Sequence, residues 1–161
     1  PLAWSPDGDF IYTLDHPPAS GPVAPEDSPL FDLTVIRLRE GPPIELAQQT
    51  GMFAYPVASP WSDKLGYQIA FLQAVFPEQS ENSRYRLVIM DRDGSNHRSI
   101  FPSQGSPGVD PQQVAWAPKS NQDGAGMIAV VFQGNLWLIQ TSNGQSQQIT
   151  GDGLTSRLDW K

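Results

Sequence analysis

The side chains able to do chemistry are few and widely spaced. His16 and His97 stand 81 residues apart, each beside a turn-forming segment. A serine nucleophile needs a base within hydrogen-bond reach and commonly sits on a strained G-x-S-x-G turn; that motif does not occur here. Glu26, Asp27 and Asp32 cluster in "EDSPLFD", but carboxylates on a Pro-rich loop lack the rigid placement that paired acid–base work needs. "DRDGSN", with Asp91, Asp93, Gly94 and Asn96, begins like a calcium loop. Its glycine falls at the fourth position rather than the sixth, and the twelfth is Pro102 rather than a bidentate glutamate. The segment therefore reads as a hairpin turn. No G-x-G-x-x-G or Walker-type loop offers to cradle a phosphate. With no cysteine, thiolate metal sites, disulfides and cysteine nucleophiles are excluded as well. The expectation is a chain with no catalytic residues, no metal and no cofactor, and hence not an enzyme.

Composition narrows the partners. Seventeen acidic and ten basic side chains give a net charge of −7. The imbalance is concentrated in residues 1–50, where eight acidic residues face two basic ones; residues 51–110 contribute −1 and residues 111–161 none. A polyanion would be repelled, and there is no Lys/Arg stripe to hold phosphates, so nucleic acid is not an expected partner. No apolar run approaches the length of a membrane span, so no membrane insertion is expected. Sixteen Pro and fourteen Gly in 161 residues favour short strands joined by turns over long helices.

The elements that would carry these residues repeat. Trp4, Trp61, Trp116 and Trp160 are spaced by 57, 55 and 44 residues. Between them the same order recurs: a short apolar segment ending in Trp, a turn, two strongly β-like runs and a more polar run. The first unit supplies "PLAW", "FIYTL", "LTVIRL" and "PIELAQQ"; the second "PVASPW", "QIAFLQAVF", "YRLVIMD" and "HRSIF"; the third "QQVAW", "MIAVVFQ", "LWLIQT" and "QSQQIT". Runs of this length, rich in β-branched and aromatic residues, are strands. Asp7–Gly8, Asp93–Gly94 and Asn143–Gly144 mark hairpins, for which type I′ turns with positive φ at both central residues are expected. Gly134–Asn135 serves a similar part between the second and third strands of the third unit. Four antiparallel strands repeated at this period predict β-propeller blades, with Trp4, Trp61, Trp116 and Trp160 as unit markers between blades. The blades are expected at about 1–50, 51–110 and 111–154, with 155–161 opening a further one.

"LAWSPDGDFIYTL" and "YRLVIMDRDGSNHRSIF" resemble the TolB-type repeat of WD-like β-propellers, with its W-S-P-D-G-x-x-I turn and D-x-D-G-S-N-like hairpin. The resemblance spans the chain as three units. "PWSDKLG" departs from it in lacking Pro-Asp-Gly, and "WAPKSNQDGAG" in inserting residues before its Asp-Gly. It implies an all-β fold, an incomplete ring of about three blades excised from a longer propeller, and a periplasmic or extracellular setting. It also implies a non-catalytic scaffold for protein or ligand binding. Related repeats form the accessory propellers of prolyl-oligopeptidase-like and tricorn-like proteases, and a structural spacer of an envelope or cell-surface protein is a third possibility. Partners expected on this basis are another protein, the remaining blades of the same propeller, or a second copy that completes a ring.

Recognition usually resides in loops carried on a rigid scaffold. The loop from Asp15 to Asp32 is long, Pro-rich and acidic, and "PEQSENSR" (77–84) is extended too, whereas the third unit has only "GN". With the connector 102–112, these loops fall on one face of a propeller. They nominate His16, Glu26, Asp27, Asp32, Glu78, Glu81 and Arg84 as partner-binding residues.

Overall fold

The apolar runs become strands in the order that the repeat predicts. A computed structural model describes residues 1–17, 22–39, 41–119 and 126–160. Residues 18–21 of the first loop, Glu40, most of the insertion before the third unit's second strand, and Lys161 lie outside them. The chain is all-β, with three four-stranded antiparallel blades. Blade 1 comprises β1 (Leu2–Trp4), β2 (Phe10–Asp15), β3 (Asp32–Arg37) and β4 (Ile44–Ala47). Blade 2 comprises β5 (Val57–Ala58), β6 (Gln68–Ala74), β7 (Tyr85–Asp91) and β8 (Arg98–Phe101). Blade 3 comprises β9 (Ala115–Trp116), β10 (Met127–Phe132), β11 (Asn135–Gln140) and β12 (Ser146–Gln148). The blades do not close a ring.

Successive side chains of a strand point to opposite faces of its sheet. Blade 2 is covered on both sides, which explains why its central strands read as continuous apolar runs. Ile69, Phe71, Val88 and Met90 pack with Tyr12, Leu33 and Val35 of blade 1. Ala70, Leu72, Leu87 and Ile89 pack with Trp116, Ile128, Val130 and Ile139 of blade 3. Each fully buried aliphatic side chain contributes about 1.5–3 kcal/mol, so these two clusters hold the blades together. Tyr12 and Tyr67 add a buried polar link, their hydroxyls 2.9 Å apart, while Tyr12 also donates to the Arg92 carbonyl. Burial raises both phenols above the ordinary tyrosine range, Tyr12 the further.

The register corrects one marker. Trp4 pairs with Ile11, Ala58 with Ile69, and Trp116 with Ile128. The next residue in each case donates its N–H across the same pair of strands: Ser5 to Phe10, Ser59 to Gln68, Ala117 to Met127. The repeated position is thus held by Trp4, Ala58 and Trp116, and Trp61 lies three residues further on, inside the longer turn of blade 2. There it is 51% exposed and leans on Tyr67 at 6.1 Å. What blades 1 and 2 share is the serine. Ser5 Oγ accepts from Phe10 N–H and Ser59 Oγ from Gln68 N–H, each at 3.0 Å, clasping the turn between the first two strands.

The turns differ from the expected type. Asp7, Asp93 and Asn143 keep negative φ, and each accepts from the N–H two residues ahead through its side-chain oxygen. Only the following glycine turns left-handed, which is a type I turn closed by a glycine bulge rather than type I′. Positive φ at both central residues occurs instead at Gln133–Gly134, one residue before the expected Gly-Asn pair. Asn135 locks that turn by donating to the Gln133 carbonyl and accepting from Gly153 N–H. Residues 155–160 form no strand. A blade's first strand is held by its second, and no described residue supplies that partner. The segment is anchored at its start, where Thr155 N–H donates to the Gly134 carbonyl at 2.8 Å.

Candidate functional site

The two long loops rise from the ends of β2 and β6 and meet over the connector between blades 1 and 2. In the first loop, Pro25–Asp27 form one 3₁₀ turn that carries Glu26 and Asp27 in solvent. Its base is fixed by His16, whose Nδ1–H donates to the Leu30 carbonyl at 3.1 Å and whose ring lies 4.4 Å from that of Phe31. In the second loop, Pro77–Gln79 form a matching 3₁₀ turn. The buried Tyr85 hydroxyl donates to the Ser80 carbonyl at 2.7 Å, and Ser83 Oγ accepts from Phe76 N–H. The connector ties both together: Thr50 donates to the Phe31 carbonyl through its N–H and hydroxyl, and Met52 N–H donates to Ser80 Oγ.

This framework leaves a cleft of about 380 Å³, floored by Pro29, Phe31 and Met52 and walled by residues 78–82 of the second loop. Glu78 and Glu81 stand exposed on its rim. The arrangement suits an apolar side chain flanked by a cation, a common way for a binding surface to combine a buried anchor with a charged rim. Of the residues nominated from sequence, the structure brings only Glu78 and Glu81 to this cleft. Glu26 and Asp27 project from the neighbouring turn. Arg84 is turned away to an ion pair with Asp110 of the next connector. His97 lies on the opposite side of its blade, its ring 6.0 Å from Phe71. Phe31 and Met52, which make the floor, were not nominated from the sequence. Their apolar character is ordinary in a connector, and only the path of the loops assembles them.

Asp32 is structural. It opens β3, is 5% exposed, and accepts from Gln49 N–H at 2.7 Å. Burial holds its carboxyl above the ordinary aspartate range; the Gln49 bond opposes this, and Glu45 and Asp15 add to it. The folded state therefore binds this proton more tightly than the unfolded chain. The stability it contributes is present at low pH and lost as pH rises through the raised pKa. Asp32→Asn keeps an acceptor for Gln49 and removes the charge. Thermal unfolding followed between about pH 3 and pH 7 is expected to give the variant the higher midpoint at neutral pH and little advantage in acid. A less stable variant at neutral pH would assign the carboxylate a net stabilising role.

A second, larger space of about 560 Å³ lies where the inner strands converge, with Trp4, Trp116 and Trp160 along its walls. It is the gap between successive inner strands, into which 158–160 run, and the long loops do not reach it. Among the described residues, no group of three or more His, Cys, Asp or Glu is placed to hold a metal ion, and no helix is long and apolar enough to cross a membrane. In comparisons with known proteins, the sequence matches no family model and no curated protein.

Proposed function

We propose that the chain is a non-catalytic β-propeller scaffold of TolB-like type that binds a protein partner through its loop face. The cleft between the two long loops carries this reading: an apolar floor, an acidic rim, and a backbone pinned from both blades. The longest connection within a blade, residues 16–31, is on this face; on the opposite face the strand 3–4 turns are short, while residues 59–67 and 117–126 make longer connections. Its charge favours a partner segment that pairs an apolar residue with lysine or arginine. Both histidines are engaged in packing, His16 with Phe31 and His97 with Phe71, which fits a scaffold better than an acid–base site.

The test is selection of displayed random peptides on the intact chain, followed by binding to a Glu78→Lys/Glu81→Lys variant. Enriched peptides are expected to carry a basic residue beside an apolar one and to lose about tenfold or more in affinity on the variant. Peptides that bind parent and variant equally would remove the loop cleft as the binding site.

A further inference from the structure

On the face opposite the long loops, blades 1 and 2 leave a second cleft, of about 300 Å³. Its floor is apolar and rigid: Val35 and Tyr67 are buried, and Phe10 and Leu46 are half-buried beside them. One wall is the β7–β8 turn, pressed so closely on blade 1 that a Cβ at Gly94 would lie 3.0 Å from Leu46 Cδ2. The mouth holds two guanidiniums, Arg37 and Arg92, and the Asp93 carboxylate. Arg37 lies over the Phe10 ring at 5.6 Å, and neither arginine forms an ion pair with a described carboxylate. Asp7 and Asp93 lie within electrostatic reach of Arg92, and each is hydrogen-bonded elsewhere. Asp93 accepts from the N–H and hydroxyl of Ser95, and Asp7 from Asp9 N–H and Ser5 Oγ.

Two guanidiniums that form no ion pair with a described carboxylate thus stand at an apolar cleft in a chain of net charge −7. Arginine presents a planar fork of donors matched to carboxylates, and a charge-assisted pair at the edge of an apolar pocket is stronger than in bulk water. The volume stands at the lower end of the roughly 300–1,000 Å³ typical of small-ligand pockets. We propose that this cleft binds an amphipathic monocarboxylate, an aryl or medium-chain acyl carboxylate. Its apolar body lies against Phe10, Val35 and Tyr67, and its carboxylate meets Arg37 and Arg92. The site is separate from the loop face and does not depend on the binding role assigned there.

The experiment titrates the intact chain with 2-naphthoate and with the corresponding uncharged alcohol, by calorimetry and by amide NMR. Naphthoate is expected to bind saturably, with shifts centred on Val35, Leu46, Tyr67 and Arg92. Arg37→Gln/Arg92→Gln is expected to weaken naphthoate by about tenfold or more, with the alcohol unaffected. Both arginines are exposed, so the variant should keep the parent's circular dichroism. If it does not fold, the acid–alcohol comparison on the parent chain decides. Glu78→Lys/Glu81→Lys should leave naphthoate binding in place. No saturable binding up to about 10 mM, a limit corresponding to under 3 kcal/mol of affinity, would overturn the proposal. So would equal affinity for acid and alcohol, or an unchanged affinity in the arginine variant.

Discussion

Trp116→Ala is expected to destabilise the chain by about 3–5 kcal/mol, the usual cost of truncating a large buried aromatic. Trp116 is 7% exposed and sits in the core shared by blades 2 and 3. Its indole Nε1–H donates to the Val57 carbonyl of the neighbouring inner strand at 3.1 Å. Gly126 makes room for the ring: a Cβ there would fall 2.8 Å from Trp116 Cζ3. Alanine would open a cavity between two blades and leave the Val57 carbonyl without its donor.

The loss should be local as well as large. In a repeat array each unit is held mainly by its neighbours, and blade 3 is covered by another blade on one face only. Hydrogen exchange in Met127–Phe132 and Asn135–Gln140 should therefore accelerate before exchange in blades 1 and 2. Trp4 is the internal control. It holds the same register position on blade 1 but is 56% exposed, so Trp4→Ala is expected to cost under about 1 kcal/mol. Urea unfolding of both variants checks the difference. Equal costs would mean that the position, rather than the contact between blades, carries the stability.

That contrast also shows which parts of the fold the sequence makes legible. Strands were readable because their burial is readable: blade 2, covered on both faces, gives unbroken apolar runs at 69–72 and 87–90. The tryptophan spacing was less faithful. Tryptophan is useful wherever a large flat group must cover something, and Trp61 covers Tyr67 from within a turn while Ala58 takes the strand position. The steadier signs of the repeat are smaller. Ser5 and Ser59 clasp their turns, and Ile11, Ile69 and Ile128 stand opposite the marker position. The candidate site was half legible. Glu78 and Glu81 follow from charge on a long loop. Asp32 carries the same charge but begins a strand opposite Asp15, and so becomes buried. Phe31 and Met52 could not be paired from sequence, because the connector that brings them together does not repeat.

The connector itself supports the last prediction, since it joins the fold to the loop face. Gly51 lies between Thr50, which is bonded to the first loop, and Met52, which is bonded to the second. Its φ is +89°, and a Cβ would fall 2.7 Å from Ala74 Cβ and 2.9 Å from Ser80 Cβ. Neither neighbour has a flexible end that could move aside. Gly51→Ala thus combines left-handed backbone strain of about 1–2 kcal/mol with overpacking of about 1–3 kcal/mol, for a total of roughly 2–5 kcal/mol. Gly105→Ala separates the two effects. Gly105 has the same φ of +89° with nothing within 4 Å of a Cβ, so it should cost only the strain. In urea unfolding Gly51→Ala should be the more damaging by the overpacking share. Its Met52 amide should also exchange faster as the bond to Ser80 is lost, loosening the floor of the loop cleft. If the two variants lose equal stability and Met52 stays protected, then the connector relaxes around a methyl group and does not rigidly brace the cleft.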